Sequence, residues 1–180
     1  MSSLSPVNVS IIVTCQEQRS QLERLFPLLY SQHYGGEYEV IVVDVMHDKD
    51  TEEWLEEMKA LYPHLHHTFC PTSARGIDVH KLALTLGAKA ANYEWLCFLS
   101  AGVGAPGGDW LTRLTACCGE SIDVVIGKTR QRRWAALNIF RHRHKFSIFY
   151  PTSSIILCRR SILLQGDHQI PKQRITRVSL

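Results

Sequence analysis

No stretch of this 180-residue chain approaches the roughly 18 consecutive apolar residues that a membrane-spanning helix requires. Met1 to Asn8 lacks a basic n-region, and the apolar run Val9 to Val13 is too short for a signal h-region. A cytoplasmic protein is expected, with peripheral placement at the inner face of a membrane left open. The six cysteines form no CxxC pair. Most stand in apolar strand or helix patterns, so buried reduced thiols are expected rather than a disulfide or zinc framework. Internal repeats and low-complexity tracts are also missing.

Acid is absent between Asp123 and Asp167, and this exposes an asymmetry that the net charge of +3 conceals. Met1 to Asp123 carries 8 Lys+Arg against 16 Asp+Glu, whereas Val124 to Leu180 carries 12 against 1. Two readings stay open. The basic part faces an anionic partner, such as phosphate groups, a membrane surface or an acidic protein, or it is a solvated face balancing the acidic half. A nucleic-acid partner is not expected, because the basic cluster carries no recognisable binding motif and the acidic half repels phosphate.

What is present is an alternation of buried strands and amphipathic helices. Val9 to Val13 is β-branched and compact, as in a strand covered on both faces. Leu22, Leu25, Phe26, Leu28 and Leu29 recur at helical spacing, predicting a helix over roughly Ser20 to Ser31. Tyr38 to Val43 is the second strand, closed by Asp44. Asp50-Thr51 is expected to cap the next helix, with Trp54, Leu55, Met58 and Leu61 on its apolar face. His66 to Cys70 forms a short third strand. Its alternation sends His66 and His67 to opposite faces, which argues against a histidine metal cluster. Asp78 caps a third helix. Trp95 to Leu99 is the fourth strand, Trp110 to Leu114 a short helix, Asp123 to Gly127 the fifth strand and Ser153 to Cys158 one more. From Gln165 no periodicity remains.

Strands and helices at this spacing imply βαβ units and a mainly parallel α/β sheet, Rossmann-like, with helices on both faces. Right-handed crossovers bring the strand ends at Thr14, Asp44 and Ser100 to one edge, where open α/β sheets place their ligands.

Five segments in order resemble the nucleotide-sugar half of family 2 glycosyltransferases, which have the GT-A fold. They are Val9 to Val13 with the turn Thr14-Cys15-Gln16-Glu17, Glu39 to Asp44, Lys81 to Gly87, Glu94 to Leu99, and Asp109-Trp110-Leu111. The resemblance covers roughly Val9 to Val125 and weakens towards Ser161. It implies a nucleotide-sugar half at 9–127; length, charge and the missing periodicity add the expectation of a single domain over 1–165, with a basic part at 128–165 and a mobile tail at 166–180. It also implies a donor pocket for a UDP- or GDP-linked sugar, built from Thr14, Cys15, Gln16, Glu17, Asp44, Arg75, Lys81, Ser100 and Gly102.

Three departures accompany it. Val45 stands where the family has a second aspartate. Ser100-Ala101-Gly102 stands where the family has the metal-holding Asp-x-Asp. The acceptor-side segment that carries the family's catalytic base has no counterpart, so no catalytic residue is assigned. Mg²⁺ and Mn²⁺ favour carboxylate oxygens. Ser100 and its backbone supply oxygen without charge, so no metal site and no cofactor are expected, and either cation would bind only weakly. In metal-independent GT-A enzymes basic residues replace the cation, a part that Arg75, Lys81 or the seven basic residues of Lys128 to Lys145 would take here. Asp48-Lys49-Asp50 spells Asp-x-Asp, but after the second strand.

Three functions remain in view. One is a family 2-like protein that keeps the nucleotide-sugar-binding fold, has lost the metal motif and shows no recognisable catalytic base, so that catalysis is in doubt. Another is an active metal-independent glycosyltransferase for surface polysaccharide or lipid-linked sugar. The third is a non-catalytic interaction module that docks on a membrane surface or partner chain through 128–145.

Overall fold

The computed structural model describes residues 6–16, 19–71, 78–101, 107–128, 154–164 and 174–180. The elements run β1 (Val9–Cys15), α1 (Arg19–Tyr30), β2 (Tyr38–Asp44), α2 (Lys49–Lys59), β3 (Leu65–Phe69), α3 (Val79–Ala90), β4 (Trp95–Ser100), α4 (Trp110–Thr115), β5 (Val124–Lys128), β6 (Ser154–Arg159), α5 (Arg160–Leu164) and β7 (Ile175–Ser179). They build a sheet of order β3-β2-β1-β4-β6-β5-β7. Its β3, β2, β1 and β4 are mutually parallel, as are β5 and β7, and β6 runs antiparallel to both its neighbours.

Strand periodicity divides the core into two layers. Ile11 and Val13 of β1, Val40 and Val42 of β2, and Cys97 and Leu99 of β4 face Leu22, Phe26, Trp54, Trp110 and their neighbours on α1, α2 and α4. Ile12, Ile41, Val43, Leu96 and Phe98 point the other way, against Ala83, Leu84 and Ala88 of α3. Both faces are covered, which is why these strands read as continuous apolar runs.

α3 sits unusually close to the sheet. A Cβ added at Gly87 would lie 2.5 Å from Ile12 Cγ2 and 3.3 Å from Val43 Cγ2, so only glycine permits this approach. Asp78 caps the helix, accepting from the His80 and Lys81 backbone N–H groups at 3.0 and 3.3 Å.

A buried polar knot fixes the opposite edge of the sheet. Glu39, 3% exposed, accepts from Ser10 Oγ at 2.6 Å and from the Asn92 backbone N–H and side-chain amide, both at 2.7 Å. These bonds tie β1 and β2 to the turn that enters β4, and they provide the partners a buried carboxylate requires. His66 and His67 do lie on opposite faces of β3, with Nε2 atoms 3.5 Å from Glu39 and 3.7 Å from Glu56 respectively.

Two expectations are corrected. The cap of α2 is Asp48, not Asp50-Thr51: Asp48 Oδ2 accepts from Thr51 N at 3.1 Å and Thr51 Oγ1 at 2.7 Å. The helix starts earlier because the preceding loop is folded tightly around Asp44. The mobile tail expected from 166 does not hold for its last residues, since Ile175–Ser179 pairs parallel with β5 as an edge strand. Arg174 forms an ion pair with Asp123 just before this strand, Arg113 Nη2 donates to the Ser179 carbonyl at 2.5 Å, and Leu180 packs over Gly127. Residues 129–153, most of the basic stretch expected to meet a partner, lie outside the described residues.

Candidate functional site at the strand ends

Register brings the sequence-predicted residues to one edge. Cys15 lies opposite Asp44, and Thr14 opposite Ser100 on its other side. Backbone bonds continue past the strands: Val45 N–H donates to the Cys15 carbonyl at 3.0 Å, Ala101 N–H to the Thr14 carbonyl at 3.2 Å, and Cys70 N–H to the Asp44 carbonyl at 2.9 Å. Thr14 and Cys15 are buried and contribute the floor, while Gln16 stands exposed above them.

Asp44 organises the loop that follows β2. Its carboxylate, 5% exposed, accepts backbone N–H bonds from Met46 at 2.9 Å, His47 at 3.0 Å and Asp48 at 2.8 Å. His47 takes a left-handed φ of 53° within this turn, and its ring stacks on Phe69 at 3.8 Å. Short side chains that accept from nearby backbone N–H groups build such turns. The carboxylate retains some accepting capacity beside these three bonds, but its first role is to hold the loop.

The result is an open cleft of about 730 Å³ beside the starts of α1 and α2, lined by Gln16, Arg19, Asp44, Met46, Asp48 and Asp50 among others. Arg19 also pairs with Glu23 at 2.8 Å and lies 5.1 Å from the Trp54 ring centroid, which holds it against the wall. Hydrogen bonds from Thr51, the side chain foremost, lower the Asp48 pKa and keep it ionised. On the far side, Gln16 Nε2 lies 2.7 Å from His80 Nδ1, joining the exit of β1 to the first turn of α3. Lys81 follows there, exposed.

Of the predicted site residues, Thr14, Cys15, Gln16, Asp44 and the backbone of Ser100 therefore share one edge, with Lys81 at its α3 side. Glu17, Arg75 and Gly102 lie outside the described residues. Sequence reasoning missed Arg19, Met46 and His80. Arg19 opens the helix after the β1 turn, and Met46 lies two residues beyond Asp44, so both had a positional signal. His80 had none, because its contact with Gln16 spans 64 residues.

The donor set at the end of β4 does not fit a hard divalent cation, since no carboxylate occurs from Trp95 to Gly108. Among the described residues no group of three or more His, Cys, Asp or Glu side chains is arranged to hold a metal. Asp48 of the displaced Asp-x-Asp is occupied as a helix cap. Thiol chemistry has little support away from this edge: burial pushes the Cys118 and Cys158 thiols up to about 12, and raises Cys97 well above its ordinary value.

A mainly parallel sheet covered on both faces, with its loops gathered at the strand C-terminal ends, is a Rossmann-like α/β architecture of the kind GT-A folds have. This chain belongs to glycosyl transferase family 2, whose family model matches residues 10–180. Solved structures agree on the fold. S. aureus TarS 1-349 superposes with a TM-score of 0.64 at 20% identity, over 91% of this chain and 50% of that one. Its complex with UDP-GlcNAc gives 0.62 at 19%, over 91% and 48%. The mannosyltransferase PcManGT from Pyrobaculum calidifontis, in complex with GDP-Man and Mn²⁺, gives 0.56 at 22%, over 68% and 35%. The chain thus spans about half the length of TarS 1-349, and about a third of the mannosyltransferase. No curated protein matches it significantly. Among the described residues no helix is long and apolar enough to cross a membrane.

Proposed function

We propose that this chain binds a nucleoside-diphosphate sugar at the strand C-terminal edge, and does so without a carboxylate-held cation. The observation that carries this reading is the register that aligns Thr14, Cys15, Asp44 and Ser100 beside an open cleft. Neighbours of the same fold were solved with GDP-Man and with UDP-GlcNAc, which supports a nucleotide-sugar ligand here. In this reading Gln16 and residual accepting capacity on Asp44 meet the nucleoside, and the diphosphate turns towards Lys81 on α3. Arg75, read from the sequence alone, is the second basic residue proposed for the diphosphate.

A glycosyl transfer needs charge stabilisation on the leaving diphosphate and a base for the acceptor hydroxyl. Lysine and arginine supply the first as point charge and fork. The second is not assigned to any residue of this chain. Donor binding is accordingly the activity we assign, and transfer depends on an acceptor-side base.

Thermal stability with UDP, GDP and their sugars, each in Mn²⁺ and in EDTA, tests this. A ligand that binds only the folded state raises stability by about 2.7 kcal/mol at a hundredfold excess over its Kd. We expect a shift that survives EDTA and shrinks in Gln16→Ala. No shift with any of these ligands overturns the assignment.

A further inference from the structure

We infer that Met46 is the residue against which the base of a bound nucleotide rests, an inference that depends on the nucleotide-binding reading above. Among the described residues lining the cleft, only Cys15 and Met46 have apolar side chains, the rest being polar or charged. Cys15 is 4% exposed, so it offers almost no surface, whereas Met46 is 66% exposed. A nucleobase presents two flat apolar faces rimmed by hydrogen-bonding groups. Among the described lining residues Met46 is the exposed apolar side chain that can cover such a face.

The backbone beneath Met46 is held on both sides. Its own N–H and those of His47 and Asp48 all donate to Asp44, and the His47 ring is stacked on Phe69. Met46 belongs to neither core cluster, so packing does not account for its placement. An unbranched, polarisable thioether on a fixed loop adapts to an aromatic face, with sulfur–aromatic contacts of about 0.3–1.5 kcal/mol.

Charge sets the orientation of the ligand. Asp48 and Asp50 line the cleft with Met46 and repel phosphate, Arg19 of the same lining is paired with Glu23, and Lys81 follows His80, the partner of Gln16, on α3. In this arrangement the base lies at Met46 and the diphosphate on the α3 side, away from Asp48 and Asp50. The acidic side chains near the base end suit hydroxyl and N–H donors of ribose and base.

The chain has three methionines, Met1, Met46 and Met58, and Met58 packs against the core. Methyl-¹³C-methionine NMR during titration with UDP and with GDP in EDTA reads the contact directly. We expect an upfield ring-current shift of the Met46 methyl, assigned by its loss in Met46→Gln, while Met58 stays in place. Met46→Gln keeps the chain length and the melting temperature and weakens nucleotide binding about two- to tenfold. A nucleotide that raises the melting temperature yet leaves the Met46 methyl unmoved, or binds Met46→Gln as tightly as the native chain, overturns the inference. Failure of both nucleotides to bind the native chain overturns the functional reading, and this inference with it.

Discussion

Replacing Asp44 by alanine separates the structural role of this residue from any role in ligand contact. The carboxylate accepts three backbone N–H bonds at 2.8–3.0 Å, from Met46, His47 and Asp48, and is 5% exposed. Hydrogen bonds to a charged group contribute about 1.5–3 kcal/mol each. The loop is only partly buried, so water entering the vacated space recovers part of that loss. Asp44→Ala should therefore cost about 2–4 kcal/mol, lowering Tm by roughly 5–12 °C in a domain of this size. Asp44→Asn keeps Oδ1 for Met46 and His47 but turns an amide N–H towards the Asp48 N–H, so about 1–2 kcal/mol is expected. Urea denaturation with an unchanged m-value measures both. A loss below about 0.5 kcal/mol for Asp44→Ala would show that the loop does not depend on this carboxylate, and the account of the cleft would fail.

Three further outcomes follow from the fold. Gly87→Ala gains helix propensity of about 1 kcal/mol, but its Cβ meets Ile12 Cγ2 at 2.5 Å; a net loss of about 1–2 kcal/mol is expected by chemical denaturation. Glu39→Ala strands the Ser10 hydroxyl and the Asn92 donors in a buried knot and should cost about 3 kcal/mol, measured the same way. His67 has a side chain only 9% exposed, and burial first, then Lys59, lowers its pKa in the folded state. The unfolded chain therefore binds this proton more readily. Stability should be full above the ordinary histidine value of about 6.5 and decline as pH falls through it, a slope that His67→Phe removes.

Much of the fold was legible because β1, β2 and β4 are buried on both faces and carry unbroken apolar runs with little competing signal. The edge site followed from their order, and Asp78 marked the start of α3. The cap of α2 was misplaced because three bonds to Asp44 wind residues 46–48 into a tight turn, and that turn starts the helix at Lys49. β7 was invisible for a different reason. Its stability comes from Asp123, Arg113 and Gly127, all distant in sequence, rather than from its own pattern. Cleft residues such as Met46 and Arg19 gained their positions from this same loop and from the start of α1.

Calorimetric titration of UDP- and GDP-linked sugars into the native chain in EDTA tests the central claim most directly. We predict saturable one-to-one binding whose Kd changes less than about twofold when Mn²⁺ replaces EDTA, a free-energy difference below about 0.4 kcal/mol. Binding that emerges only with Mn²⁺, or no binding with either sugar nucleotide, would contradict the account.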